Sequence, residues 1–267
     1  MIFVSNSKRC VNIETARNIV NEIRKFREEP NDNPIDWSEA NALQRREGHN
    51  DSEWYTQWSA ILNKNIKRKP PLVVGVFMNQ TKEEILQIVK ETKIDLIQLH
   101  GNEGFELCDR NHMNGIPCIR VLHITANNQK DKNDEDKEEK NELKELKGGE
   151  GHDDEKAMEV SMSTVKELIG CDVPNGPPCA LLLDTKLKGK SSSGGTGVVF
   201  DWKVAKNMKI NFGYPLIVAG GLNVNNVKEA VRETGAWCVD VSSGVENVET
   251  GFKDHEKVKL FISNAKK

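Results

Sequence analysis

Long hydrophobic runs are missing from this chain of 267 residues. No stretch approaches the ~18 apolar residues that span a bilayer as a helix, so no membrane partner is expected. The opening MIFVSNSKRC does not read as a secretory signal, because its short apolar stretch precedes the basic residues. Cysteine is sparse, with six residues and no C-x-x-C pair. That spacing argues against a disulfide frame or a zinc site and for free thiols in a cytoplasmic protein. A dominant charge is lacking as well: 38 Lys and Arg face 41 Asp and Glu, for a net charge of −3. Such a balance gives no reason to expect nucleic acid as a partner.

Two segments carry little that could build a core. Residues 31–70 are polar and mixed, with Trp37, Trp54, Tyr55 and Trp58 scattered through them. A short helix is expected there around Ser52–Leu62. Residues 127–156 are almost wholly charged or polar, and only Leu143 and Leu146 are large and apolar. This segment cannot bury enough surface to offset chain entropy and reads as a disordered or loosely helical loop. Both read as insertions into a single domain covering 1–267.

The rest is regular. Apolar runs of strand length recur at Ile2–Val4, Leu72–Phe77, Leu96–Leu99, Cys118–Leu122, Ala180–Leu183, Leu216–Ala219 and Trp237–Val241. They lack polar alternation, as parallel strands buried on both faces do. Helical patterns separate them. Ile13, Ala16, Val20, Ile23 and Phe26 follow Asn12, an N-cap residue type. Thr81 and Glu84 form a capping box ahead of Ile85, Ile88 and Val89. Asn223 is placed to cap a helix through Val224, Val227, Ala230 and Val231, which Gly235 closes. Val258, Phe261 and Ile262 suit a last helix.

Strand then helix, repeated, predicts a parallel α/β fold. Outside the insertions, seven βα units average about 28 residues each, near the ~31 of an eightfold barrel of ~250 residues. The pattern is one unit short of eight.

Loops at the ends of the later strands are rich in small residues. Leu183-Asp184-Thr185 precedes Gly194-Gly195-Thr196-Gly197; Ala219-Gly220-Gly221-Leu222 leads into Asn223; Asp240 to Glu246 reads DVSSGVE. Glycines let backbone amides approach an anion closely. One such loop is ordinarily a tight turn. Two on adjacent last strands point to a phosphate site, with Gly220, Gly221, Ser242, Ser243 and Gly244 as its candidates. By position alone, Asp184 is equally suited to cap its loop or to act as a proton donor at the strand end.

The ordered set GVFMNQ (75–80), DLIQLHG (95–101), LLLDT (181–185), GGTG (194–197), FDW (200–202), AGGLNVNNV (219–227) and VDVSSGVE (239–246), with Lys253-Asp254 after it, resembles phosphoribosylanthranilate isomerase. FVSNSKR (3–9) is similar to that family's second strand and its basic loop, in the fungal style. The resemblance implies a (βα)8 TIM barrel, of which seven units are present here. It implies an Amadori rearrangement in tryptophan biosynthesis, a phosphosugar substrate, no metal and no organic cofactor. A monomer is expected.

Asp184 matches the family's general acid, and Arg9 the arginine that holds the anthranilate carboxylate. A planar guanidinium suits that task; without the match, Arg9 beside Lys8 is an ordinary surface charge. The resemblance places Gln98 and His100 in or beside the substrate pocket, with Gln98 equally able to satisfy backbone groups at a barrel rim.

The family's general base is a first-strand cysteine in a K-x-C-G-type motif, and this chain has no such motif. Cys10 follows the Lys8-Arg9 loop and matches no catalytic residue. Cys108, Cys118, Cys171, Cys179 and Cys238 read as structural thiols. The expectation is therefore a longer natural product, with the chain as written unstable or inactive. The alternative is a catalytically inactive barrel that binds a phosphate ligand.

Overall fold

The computed structural model describes residues 1–26, 35–43, 51–68, 71–109, 111–126, 178–187, 197–212 and 215–267. Six apolar runs become one sheet: β1 (Val74–Phe77), β2 (Leu96–Leu99), β3 (Cys118–Ala126), β4 (Ala180–Leu187), β5 (Leu216–Val218) and β6 (Cys238–Val239). Their order in the sheet is their order in the chain. β1, β2 and β3 pair in parallel, with Phe77 opposite Leu99 and Leu99 opposite Arg120. Parallel neighbours need crossovers, and helices supply them.

The chain packs as two compact units. The first comprises Met1–Leu122, Cys171–Leu182 and Ile210–Ile217; the second comprises His123–Gly170, Leu183–Lys209 and Val218–Lys267.

In the first unit, α1 (Ile13–Arg24) begins where Asn12 accepts a side-chain hydrogen bond from the Thr15 amide. It buries Ala16 and Val20 and packs against α4 (Lys82–Thr92). The Thr81–Glu84 capping box starts α4 as expected, and Lys93 ends it in the left-handed conformation. The inward faces of both helices join Phe77, Ile97, Leu99 and Met113 in one core. Phe3 and Phe77 stack there with ring centroids 5.3 Å apart.

Two expectations are cut back in this unit. Ile2–Val4 pairs with β1 without forming a full strand: Ile2 forms parallel bridges to Val76 and Cys10, the Phe3 amide donates to the Val76 carbonyl at 2.9 Å, and a tight turn follows at once. Phe26 lies beyond the end of α1 and is 80% exposed, so the helical stripe stops at Ile23.

The first polar segment is more ordered than its composition suggests. It holds α2 (Ser38–Asn41) and an 18-residue α3 (Asp51–Arg68), longer than Ser52–Leu62. Trp58, Ile61 and Leu62 are buried, at the spacing of one helix face. Trp37 meets Trp58 at 6.3 Å between ring centroids. The side chains of Trp54 and Tyr55, and all of residues 127–156, lie outside the described residues.

In the second unit, α5 (Trp202–Phe212) buries Ala205 and Met208. α6 (Val227–Thr234) buries Val227, Ala230 and Thr234, and Gly235 closes it with φ +58°. Its start corrects the sequence reading: Asn223 is not the cap, and the helix begins after Asn226. The Asn223 side chain instead accepts from the Asn225 amide at 2.9 Å, which holds a turn. α7 (His255–Ala265) is capped by Asp254 and buries Phe261, whereas Ile262 is 48% exposed.

β3 and β4 run past their expected ends, and β6 is only two residues long. No helix among the described residues is long and apolar enough to cross a membrane.

Candidate active site

The second unit gathers the small-residue loops. Asp184 lies within β4, 6% exposed, and its carboxylate accepts from the Thr185 amide at 2.9 Å. His123, half-buried on β3, brings a ring nitrogen within 4.8 Å of an Asp184 carboxylate oxygen. The expected strand ends at Leu122 and does not include His123. The continuing extended run HITA was the available signal.

Gly220 and Gly221 follow β5 with φ of +75° and +67°. Side chains rarely adopt that conformation, and there is no room for one either. A Cβ on Gly220 would collide with Thr185, and one on Gly221 with the Val198 carbonyl. The loop therefore presses directly on the strand that carries Asp184. The Ala219 amide donates to the Leu183 carbonyl at 2.8 Å, and the Asn226 side chain donates to the Gly221 carbonyl at 3.1 Å. The amides of Gly220 and Gly221 donate to no acceptor among the described residues.

The loop after β6 is arranged similarly. Ser243–Val245 form a 3-10 turn, and Val245 is buried. Gly244 sits so close to the Leu222 carbonyl that a Cβ would overlap it. The Ser243 and Gly244 amides also donate to no acceptor among the described residues. Lys253 Nζ braces the loop, donating to the Ser242 carbonyl at 2.7 Å and pairing with Glu246 at 2.8 Å. Lys257 Nζ donates to the Glu246 carbonyl at 2.9 Å. Thr185 Oγ1 and Trp202 Nε1 are buried without a hydrogen-bond partner among the described residues. Turns of unspent amides are suited to hold an anion, and a carboxylate on the strand against the first of them is suited to move a proton.

The remaining candidates belong to the first unit. Arg9 is exposed in a turn whose Ser7 Oγ accepts from the Arg9 amide at 3.2 Å. Gln98 and His100 are half-buried at the end of β2, with Gln98 Nε2 3.3 Å from His100 Nδ1. With the amide as donor, the imidazole keeps its proton on Nε2.

Arg120 escaped the sequence reading because it sits inside an apolar strand. It is buried and paired with Glu103 at 3.3 Å, and its guanidinium lies 5.9 Å over the Phe105 ring. The signal was an arginine in a run with no polar alternation.

The thiols divide as follows. Cys108, Cys118 and Cys179 are buried. A thiol hydrogen bond with Cys108, then burial, push the Cys118 thiol well up; burial does the same to Cys179. Both stay protonated, as structural thiols do. Cys10 and Cys238 are exposed. Cys171 and the Gly194–Thr196 part of GGTG lie outside the described residues.

Residues 36–158 and 157–264 match the model of the N-(5'-phosphoribosyl)anthranilate (PRA) isomerase family. The chain belongs to that family. Among PRA isomerase relatives, it is 34% identical over 196 residues to N-(5'-phosphoribosyl)anthranilate isomerase of Dehalococcoides mccartyi, spanning 73% of this chain and 71% of that one. It is 33% identical over 267 residues to tryptophan biosynthesis protein TRP1 of Phytophthora nicotianae. That alignment takes in 100% of this chain but only 42% of the Phytophthora protein. A crystal structure of phosphoribosyl anthranilate isomerase in complex with reduced 1-(o-carboxyphenylamino)-1-deoxyribulose 5-phosphate superposes with a TM-score of 0.54 at 25% identity. It covers 100% of this chain and 85% of the other. The α/β fold is thus that of the PRA isomerase TIM barrels.

Proposed function

We propose that the chain isomerises N-(5-phosphoribosyl)anthranilate to 1-(2-carboxyphenylamino)-1-deoxyribulose 5-phosphate, an Amadori step of tryptophan biosynthesis. The reading rests on the two glycine turns in the second unit, the first pressed on Thr185 next to Asp184 and the second packed on Leu222. Gly220, Gly221, Ser242, Ser243 and Gly244 hold the phosphate through main-chain N–H groups.

Asp184 is the general acid. It gives its proton to the furanose ring oxygen, the bond from that oxygen to C1 breaks, and the anilino nitrogen lone pair forms the C1–N iminium. Loss of the C2 proton returns electrons to nitrogen and leaves an enol, which tautomerises to the ketose. The C2 base is unassigned in this chain. Arg9, Gln98 and His100 of the first unit are assigned to the anthranilate end, the guanidinium meeting the carboxylate.

Conversion followed by chromatography, with calorimetry of the reduced product analogue, tests the assignment. Asp184→Asn should lower turnover about 10²- to 10⁴-fold, the range of a general acid, and leave analogue affinity intact. Undiminished turnover removes Asp184 from the mechanism. Analogue binding without turnover in the unaltered chain favours the non-catalytic binding barrel, and failure to bind the analogue refutes both.

A further inference from the structure

We propose that Arg120 and Glu103 are positioning residues that set His100, and that their buried ion pair exists for this purpose. The inference rests on the isomerase reading for what His100 contacts, but the bracing itself is a matter of this chain's geometry.

Arg120 stands opposite Leu99 in the register of β2 and β3. Its guanidinium grips the carbonyls of the two residues on either side of His100. Nη1 donates to the Leu99 carbonyl at 2.9 Å, and Nη2 donates to the Gly101 carbonyl at 3.0 Å.

Glu103 closes the other side. Its Oε2 accepts from the Gly101 amide at 2.8 Å and pairs with Arg120 Nη1, while its Oε1 accepts from the Asn79 amide at 2.5 Å. Asn79, itself at φ +62°, accepts from the Asn102 amide at 2.7 Å. The His100 amide donates to the Phe77 carbonyl at 2.8 Å. Every peptide group from Leu99 to Asn102 is therefore anchored on at least one side.

A buried ion pair is a poor device for stability alone, since a well-packed apolar pair often does as well. What the apolar pair cannot do is grip two carbonyls two residues apart. A planar fork can; a lysine ammonium, being a point charge, cannot hold both at once. The side chains of Arg120 and Glu103 are 8% and 4% exposed, so neither is free to contact a ligand broadly. Their reach to the ligand runs through His100.

The test uses the full chain and three readouts: thermal midpoint, His100 ring signals by NMR, and calorimetry with the reduced analogue and with inorganic phosphate. Arg120→Lys keeps the charge and loses the fork. It should fold, shift the His100 ring signals, and weaken the analogue about tenfold or more, as small misplacements do. Inorganic phosphate affinity should not change. His100→Ala should weaken the analogue in the parent but cost little more in the Arg120→Lys background.

Unmoved His100 signals overturn the inference whatever the ligand does. Additive effects of the two substitutions also overturn it, because they leave Arg120 a structural role only. Should Arg120→Lys not fold, Glu103→Gln carries the same cycle. A parent chain that binds phosphate but not the analogue refutes the isomerase reading instead, and the His100 signals still decide the brace.

Discussion

The two units differ in how their loop and cap polar groups are used. In the first, the capping box, the Asn12 cap and the two carbonyls gripped by Arg120 end on protein partners, while Arg120 Nε is buried without one among the described residues. In the second, among the described residues, the loops after β5 and β6 leave four amides without an acceptor, and Thr185 Oγ1 and Trp202 Nε1 are buried without a hydrogen-bond partner. Unsatisfied buried groups cost stability, so they persist where something other than folding employs them. The first unit is organised to hold a geometry and the second to offer one.

If that contrast is sound, substitutions in the two units should move different observables. Phe77 is fully buried and stacked on Phe3. Phe77→Ala should cost about 3–5 kcal/mol, through lost contacts and the cavity left behind. The denaturation midpoint should fall sharply, while inorganic phosphate affinity in the folded fraction stays put. A matching loss of phosphate affinity would dissolve the contrast.

Gly221→Ala sharpens it from the other side. The methyl must fit a φ of +67° against the Val198 carbonyl, a strain of about 1–3 kcal/mol. Because the loop must move, phosphate affinity should fall along with stability. A stable variant with parental phosphate binding would show that this turn is only a turn. Thr81→Ala is the mildest case. It removes one half of a capping box and should cost about 0.5–2 kcal/mol in the urea midpoint, with no change in ligand binding.

Much of the first unit was legible locally. The Asn12 cap, the Thr81 box and the Ala16 and Val20 stripe depend on residues within a few positions of one another. The errors arise where local pattern and packing part company. Phe26 continues the helical period but falls past the end of α1, where no neighbour covers it. Asn223 has the right residue type for a cap, yet its side chain is used in a tighter turn three residues ahead of α6. In the polar segment from 31 to 70 a short helix is legible around Ser52–Leu62, but not its full length to Arg68, nor the packing of Trp58 on Trp37.

Of the candidate site, the glycine turns stood out because two of them follow adjacent last strands, and Asp184 because its motif resembles the family's, since either residue type alone is as readily a turn or a cap. His123 and Arg120 did not. One lay beyond the expected strand end, and the other looked like an interruption in an apolar run.

By itself the sequence determined the order of the six strands of the sheet and the helices between them, the Asn12 and Thr81 caps, and the loops that carry small residues. These follow from period and from bonds closed within one turn of chain. Only the tertiary structure decided which polar groups are buried and what they grip. Arg120 reaches the carbonyls around His100, and Gly221 has no room beside Val198, through residues some twenty positions apart. Such contacts depend on where the backbone brings distant segments, which no local pattern encodes.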